Sequence, residues 1–281
     1  LRKNSLGNAY LNANTPTLDS LMKEYPHISL EASGEHVGLP KGQMGNSEVG
    51  HSTIGSGRVI YQSLEKINKS IEDHTFFSNK EILSAISHAK ENNSRLHLIG
   101  LLSDGGIHSH INHLFALLDI CKEQNFTNIY IHAITDGRDT APDSGLKYIE
   151  SLEEKLKELG FGKIATLCGR YYMMDRDNNY DRVKLAYNML VEDTAPKYET
   201  AALAWQANQD KNITDEFIMP SLIEEKGLIK DNDAIITFNF RPDRLRELYS
   251  CLTNESFPSF ERKILKNIKL VTMMPVADTV I

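Results

Sequence analysis

No stretch of this chain holds the ~18–20 consecutive apolar residues that a membrane-spanning helix needs, so no helical membrane segment is expected. Cysteine is scarce. Cys121, Cys168 and Cys251 stand far apart, without a CxxC pair or the Cys/His spacing of a zinc site. A disulfide scaffold is thereby excluded, and the three read as buried, reduced thiols of a cytoplasmic protein. Positive charge is in deficit, with 31 Lys and Arg against 38 Asp and Glu and a net charge of −7. That balance argues against a dedicated nucleic-acid surface but leaves room for a local basic pocket. Repeats, low-complexity tracts, the GxxxxGK[ST] phosphate loop and the GxSxG nucleophile elbow are all missing.

What remains is ordinary globular composition, 41% hydrophobic and 25% charged over 281 residues. It allows one large domain or two modest ones. The first residue is Leu1, with no signal-peptide pattern behind it. The last thirteen residues, Lys269 to Ile281, are apolar and strand-like, so the chain reads as a piece cut from a longer one.

Eight of the seventeen glycines fall between Gly7 and Gly57. Thr15 and Pro16 offer an N-cap and a first position for a helix, and Gly34, Gly38, Gly42 and Gly45 mark a long loop. From about Tyr61 a helical stretch leads into a regular alternation. Strands are predicted at 96–102, 128–134, 163–168, 234–240 and 268–273. Helices are predicted near 112–121, 146–159, 181–190 and 243–252. Short apolar strands alternating with amphipathic helices define an α/β fold with a mostly parallel sheet flanked by helices.

In such sheets ligands bind beyond the carboxyl ends of the strands. The loops there are 103–110 (SDGGIHSH), 135–140 (TDGRDT), 169–177 (GRYYMMDRD) and 241–244 (RPDR). Only eleven of the 31 basic residues are Arg, and five of them, Arg138, Arg170, Arg176, Arg241 and Arg244, sit in three of these loops. Arg presents a planar fork that fits carboxylate and phosphate; Lys does not. Gathered by the sheet, the five make a cationic pocket for a small anion. Pairing of each Arg with a neighbouring Asp is the alternative. Among Asp104, Asp136, Asp139, Asp175, Asp177 and Asp243, one is a candidate general base and the rest orient arginines or form turns. His108, His110 and His113 fit helix capping or substrate contact better than a metal.

A second segment, Gln43 to His51 (QMGNSEVGH), sets Ser47 between glycines at a helix start. It reads either as a nucleophile at a helix N-terminus, where N–H groups favour phosphate, or as an ordinary N-cap. His51, four residues on, is either the base for Ser47 or a capping residue.

These segments together resemble the cofactor-independent phosphoglycerate mutases. Met44 to His51, followed by Ile54 to Val59, is similar to the nucleophile segment of that family. The segments 103–110, 136–139, 169–177 and 239–244 resemble its substrate pocket, in the same order. The resemblance covers nearly the whole chain.

It implies interconversion of 3-phosphoglycerate and 2-phosphoglycerate through a phosphoserine, without 2,3-bisphosphoglycerate, by a monomeric cytoplasmic enzyme. Ser47 matches the phosphoryl acceptor, which also ligates one of two Mn2+ ions. His108, Arg138, Asp139, Arg170, Arg176, Arg241 and Arg244 match substrate-binding positions, and Asp139 a base on the glycerate hydroxyl. The family's other metal ligands have no counterpart in this chain, so the segment alone is expected to be inactive. The resemblance also implies a partial alkaline-phosphatase-like domain over 1–61, a transferase domain over 62–275, and a return to the phosphatase-like domain over 276–281. A metal-dependent phosphatase of the same superfamily and a non-catalytic module for phosphorylated acids are the competing readings. A second anion pocket favours transfer over hydrolysis.

Overall fold

The computed structural model describes residues 6–276 and divides the chain into two compact units, Leu1–Tyr61 and Gln62–Ile281. The return to the phosphatase-like domain expected over 276–281 lies, apart from Val276, outside the described residues.

The first unit holds α1 (Ala9–Asn12), α2 (Pro16–Glu24), a 3-10 turn at Gly34–Val37 and α3 (Ser47–Ser56). Pro16 opens α2 after Thr15, as its fixed φ favours, but the Thr15 hydroxyl makes no cap. It donates instead to Asp19 Oδ1 at 3.2 Å. The glycine-rich loop closes on itself through Gly34 N–H to the Gln43 carbonyl (2.9 Å) and Leu39 N–H to the Gly34 carbonyl (3.1 Å). Val37, Leu39 and Val49 form the unit's buried apolar cluster.

The second unit begins with α4 (Ser63–Glu72) and α5 (Lys80–Glu91). It continues β1 (Leu96–Leu101), α6 (Ile111–Glu123), β2 (Ile129–Thr135), α7 (Gly145–Leu159) and β3 (Lys163–Gly169). After α8 (Arg170–Met173), α9 (Tyr180–Val191) and α10 (Ala201–Gln209) come β4 (Ser221–Leu222), β5 (Ala234–Thr237), α11 (Arg246–Thr253) and β6 (Lys269–Thr272). The sheet order is β4-β3-β2-β1-β5-β6, parallel throughout except for the short edge strand β4. Among the described residues no helix is long and apolar enough to cross a membrane.

Side-chain alternation divides the interior in two. Leu96 and Leu98 of β1, with Ile131 and Ala133 of β2, meet α5, α6, α7 and α10. Ile99 and Leu101, with Ile134, Cys168 and Ile235, meet α9 and α11 on the other face. Both faces of a parallel sheet are covered, which is why its strands read as unbroken apolar runs. All three cysteines are buried and free; burial pushes the Cys121 and Cys251 thiols up to about 12.

A chain of buried polar groups runs through the second layer and is paired. His97 Nε2–H donates to Asp233 Oδ2 (3.0 Å), and His97 Nδ1 takes a bond from His132 Nε2–H (2.9 Å). His132 Nδ1 in turn accepts from the Thr166 hydroxyl (3.0 Å). Burial lowers both imidazole pKa values, and neutral rings satisfy every bond in this chain.

Several local features depart from the sequence reading. The strand expected at 234–240 ends at Thr237. Phe238 N–H still pairs with the Ile99 carbonyl (3.0 Å), but the next partner of β1, the Leu101 N–H, goes to the Asn239 side chain (2.9 Å). The Phe238 ring lies over Gly100, where a Cβ would come within 2.7 Å of it. Helices α1, α8 and α10 and strand β4 are absent from the sequence reading, which has a loop where α8 lies. Short segments of mixed pattern such as 201–209 (AALAWQANQ) give no clear period, and Trp205 and Ala204 become core only through packing.

Candidate active site

The loops after β1, β2, β3 and β5 stand at the carboxyl edge of the sheet. The chain runs from β1 to β2 on one side while β5 pairs with β1 on the other, and this switch point is where open α/β sheets leave a crevice for ligands.

Asp136, at the end of β2, is nearly fully buried. Its Oδ1 accepts the N–H groups of Arg138 (3.2 Å) and Asp139 (2.9 Å) and Nη1 of Arg170 (2.7 Å). Its Oδ2 accepts the Ser103 hydroxyl (2.7 Å). Arg170 Nη1 also donates to Asp139 Oδ2 at 2.7 Å. Burial opposes the Arg170 charge, yet the bonds to Asp139 and Asp136 outweigh it and raise the pKa. The turn that bends Asp139 back needs Gly137 at φ +67°, with a Cβ position 2.7 Å from Glu216 N. At Gly169 a Cβ would fall 2.4 Å from the Glu216 carbonyl oxygen. The 3-10 turn Asp215–Phe217 therefore packs directly on two site loops. Asp215 fastens it there through Gly145 N–H (2.6 Å) and the Trp205 indole N–H (2.6 Å), and Glu216 lies 3.6 Å from Arg138 Nη1.

Across the crevice Asp243 sits among cations. Its Oδ2 is 3.3 Å from Arg176 Nη1 and 3.6 Å from Arg241 Nη2. Its Oδ1 is 3.9 Å from His108 Nδ1, and both of these atoms are buried without a hydrogen-bond partner. Arg244 Nη1 donates to the Met174 carbonyl (3.4 Å), while its Nε is buried and unpartnered. Burial, followed by repulsion from Arg176, Arg170 and Arg138, lowers the Arg244 pKa. Burial and then Arg170 and Arg241 push His108 down to about 4, against the pull of Asp139 and Asp243. His108 is thus neutral at pH 7. The structure brings all five arginines, His108 and Asp139 into one electrostatic neighbourhood, partly compensated by carboxylates. Buried polar atoms are nearly always paired, so His108 Nδ1, Asp243 Oδ1 and Arg244 Nε together mark room for a polar ligand.

The other histidines stand apart from this pocket. His110 caps α6, its Nδ1 accepting Asn112 N–H at 3.2 Å. His113 Nε2–H donates to Asn68 Oδ1 at 2.9 Å.

Ser47 belongs to the first unit. It is exposed and is the first residue of α3, and the cap is Asn46, whose Oδ1 accepts Val49 N–H at 3.1 Å. First-turn N–H groups have no helical partner and favour an anion. His51 Nδ1 lies 2.7 Å from the Ser47 carbonyl oxygen and 3.1 Å from Ser47 Oγ. A carbonyl only accepts, so that nitrogen carries a proton and is not the base for the hydroxyl. Among the described residues no group of three or more His, Cys, Asp or Glu is arranged to hold a metal ion. One serine oxygen does not fit a dinuclear manganese centre.

Sequence reasoning placed Asp136 among six Asp, one a candidate base and the rest arginine orienters or turn formers, and the structure makes it an arginine orienter; it missed Asp215 and Glu216. Asp136 carried a signal, an Asp before Gly at a strand end, which favours side-chain bonds to the backbone two residues on. Asp215 and Glu216 carried none, because they reach the site from about 80 residues away.

The family described as BPG-independent PGAM N-terminus matches residues 67–277. The 2,3-bisphosphoglycerate-independent phosphoglycerate mutase of Clostridium perfringens (strain SM101) is 53% identical over 266 residues, 93% of this chain and 52% of its own length. The protein of the same description from Clostridium tetani is 52% identical over 278 residues, 98% of this chain and 54% of its own. A crystal structure of Leishmania mexicana phosphoglycerate mutase at low cobalt concentration superposes with a TM-score of 0.79 at 31% identity. It covers 94% of this chain and 51% of that one. The chain spans about half the length of the curated relatives it matches.

Proposed function

Because the chain belongs to the 2,3-bisphosphoglycerate-independent phosphoglycerate mutase family, we propose that it supplies the substrate pocket and the phosphoryl acceptor of an isomerase that interconverts 3- and 2-phosphoglycerate. Residues 62–275 act as the transferase domain and residues 1–61 as part of an alkaline-phosphatase-like domain. The observation that carries this reading is the convergence of Arg138, Arg170, Arg176, Arg241 and Arg244 with His108 and Asp139. A hydrolase of simple phosphate esters has no need for so elaborate a second anion site.

In this reading the substrate carboxylate takes the arginine forks, and neutral His108 offers a hydrogen bond without adding charge. Ser47 Oγ attacks the phosphoryl group, the bond to the C3 oxygen breaks, the proton lost by the serine ends on that C3 oxygen, and a phosphoserine and free glycerate form. Glycerate turns within the pocket. Its C2 hydroxyl then attacks the phosphoserine and gives its proton to Asp139, while the bond from phosphorus to Ser47 Oγ breaks and the serine takes up a proton, which returns the enzyme to its starting state. The arginines hold the glycerate so that it reorients without escaping. The Mn2+ pair implied by the family would stabilise charge on the transferring group. The residues described here do not by themselves fit such a centre. The 281-residue chain alone therefore binds phosphoglycerate without turning it over. Independence from 2,3-bisphosphoglycerate, a monomeric state and a cytoplasmic location belong to the same proposal.

An enolase-coupled assay of the full-length enzyme, with 3-phosphoglycerate and added Mn2+ but no 2,3-bisphosphoglycerate, tests it. Turnover with phosphate trapped on Ser47, seen by mass spectrometry, is expected. Turnover that survives Ser47→Ala, or that requires 2,3-bisphosphoglycerate, overturns it.

A further inference from the structure

Asp136 is hydrogen-bonded to three of the strand-end loops at once. It takes the Ser103 hydroxyl from the β1 loop, two N–H groups from its own loop and the Arg170 guanidinium from the β3 loop. With its residue 2% exposed and both oxygens engaged, it has no free edge to offer a ligand. Arg170 Nη1 is shared evenly, at 2.7 Å, between Asp136 and Asp139. Asp136 therefore does two things. It sets the backbone direction from which the Arg138 and Asp139 side chains project. It also offsets part of the Arg170 charge within the crevice.

We propose that Asp136 is a positioning residue of the pocket, one that fixes the loop carrying Arg138 and Asp139 while moderating the grip of Arg170 on the bound anion. This rests on the reading of the pocket as a phosphoglycerate site. A moderated grip suits a reaction whose intermediate must turn over in place. A fully uncompensated arginine would hold one orientation too firmly.

The two roles separate chemically. In Asp136→Asn the remaining oxygen still accepts the Arg138 and Asp139 N–H groups, and the amide NH2 donates to Ser103 Oγ. Geometry survives and the charge goes. In Asp136→Ala both are lost. Titration calorimetry with 3-phosphoglycerate, on the intact protein, reads the difference. Circular dichroism and the thermal midpoint check the fold of each variant. Asp136→Asn is expected to bind about three- to tenfold more tightly, because one negative charge has left a low-dielectric site. Asp136→Ala is expected to bind about tenfold more weakly despite the same change of charge, because the loop is no longer held. A merely structural residue would weaken binding in both variants, so equal losses overturn the proposal. Unchanged affinity in both, or equal gains in both, overturns it as well. If the unaltered protein shows no binding heat at millimolar ligand, the pocket reading itself falls and takes this role with it. That failure is distinct from binding that fails to respond to Asp136.

Discussion

In residues 62–276 strand β1 is buried at all six positions and packs helices on both faces, whereas in residues 6–61 the buried apolar cluster is three side chains, Val37, Leu39 and Val49. In the first unit Ile28 is 85% exposed, Met44 86% and Leu30 73%. Burying an apolar side chain yields about 1.5–3 kcal/mol, and ordering each residue costs about 1–2 kcal/mol. Relative to its length the second unit therefore offsets far more of that cost, with two extensive buried layers against three side chains in the first. The chemistry divides along the same line. The cationic pocket hangs from strand ends and is laced by buried bonds, while Ser47 stands exposed on α3. Precise grip on an anion needs a supported scaffold, and a phosphoryl acceptor needs access.

Separating the two regions by function is the strongest way to test that contrast. Ser47→Ala in the full-length enzyme is expected to abolish turnover in the coupled assay while calorimetric affinity for 3-phosphoglycerate stays within about twofold, since the arginines that take the anion belong to the second unit. Loss of binding together with turnover would erase the division. Within the pocket, Arg170 bonds both Asp136 and Asp139 through Nη1, and Arg170→Lys keeps the charge but loses the planar guanidinium that presents further donors to an anion. Affinity should fall about 10–100-fold, the equivalent of one charged hydrogen bond. A lysine variant that binds as the original does would show that charge alone suffices.

For stability, Ile99→Ala, at a fully buried position of β1, is expected to cost about 2–5 kcal/mol in urea unfolding. Leu21→Ala, half-exposed on α2, should stay within about 0.5 kcal/mol. Similar costs at both sites would mean that the first unit has a core of its own. Another expected effect is on pH dependence and is spread over several pH units. His108 is held down at about 4 and His113 at about 3, so both take up protons more readily when unfolded. Their contribution is complete above pH 6.5 and is lost as pH falls from there toward 4 and 3. The slope is at most about 1.4 kcal/mol per pH unit for each. Thermal midpoints measured across that window should fall with pH, and His108→Asn should flatten the fall. An unchanged slope in that variant would show that His108 is not held neutral by its surroundings.

The order of strands and helices around the sheet was legible because each strand is short, apolar and bounded by polar turns, and each long helix shows a period near 3.6. The arginine loops were legible for another reason. Arg is rare in this chain and concentrated after strands, where an α/β sheet places its ligands. Strand β5 was overrun by three residues because Phe238 and Phe240 continue the apolar pattern, although Asn239 has already taken over the bonding of the edge. Ser47 was read as either nucleophile or cap, and only the observed bond from Val49 N–H to Asn46 assigned the cap elsewhere. The same holds for His51, whose spacing allowed a base and whose contact with the Ser47 carbonyl removes that role.

By itself the sequence determined what depends on neighbours along the chain: the period of burial, the turns, the residue types at each strand end and the family they match. Only the tertiary structure decided which of those residues meet. Asp136 gathers Ser103, Arg138, Asp139 and Arg170, and the turn at Asp215–Phe217 closes against Gly137 and Gly169. The pocket is a product of long-range contacts, and the strength of each charge in it is set by burial and by the other charges nearby. Neither quantity exists until the sheet has formed and its loops have been brought to one edge.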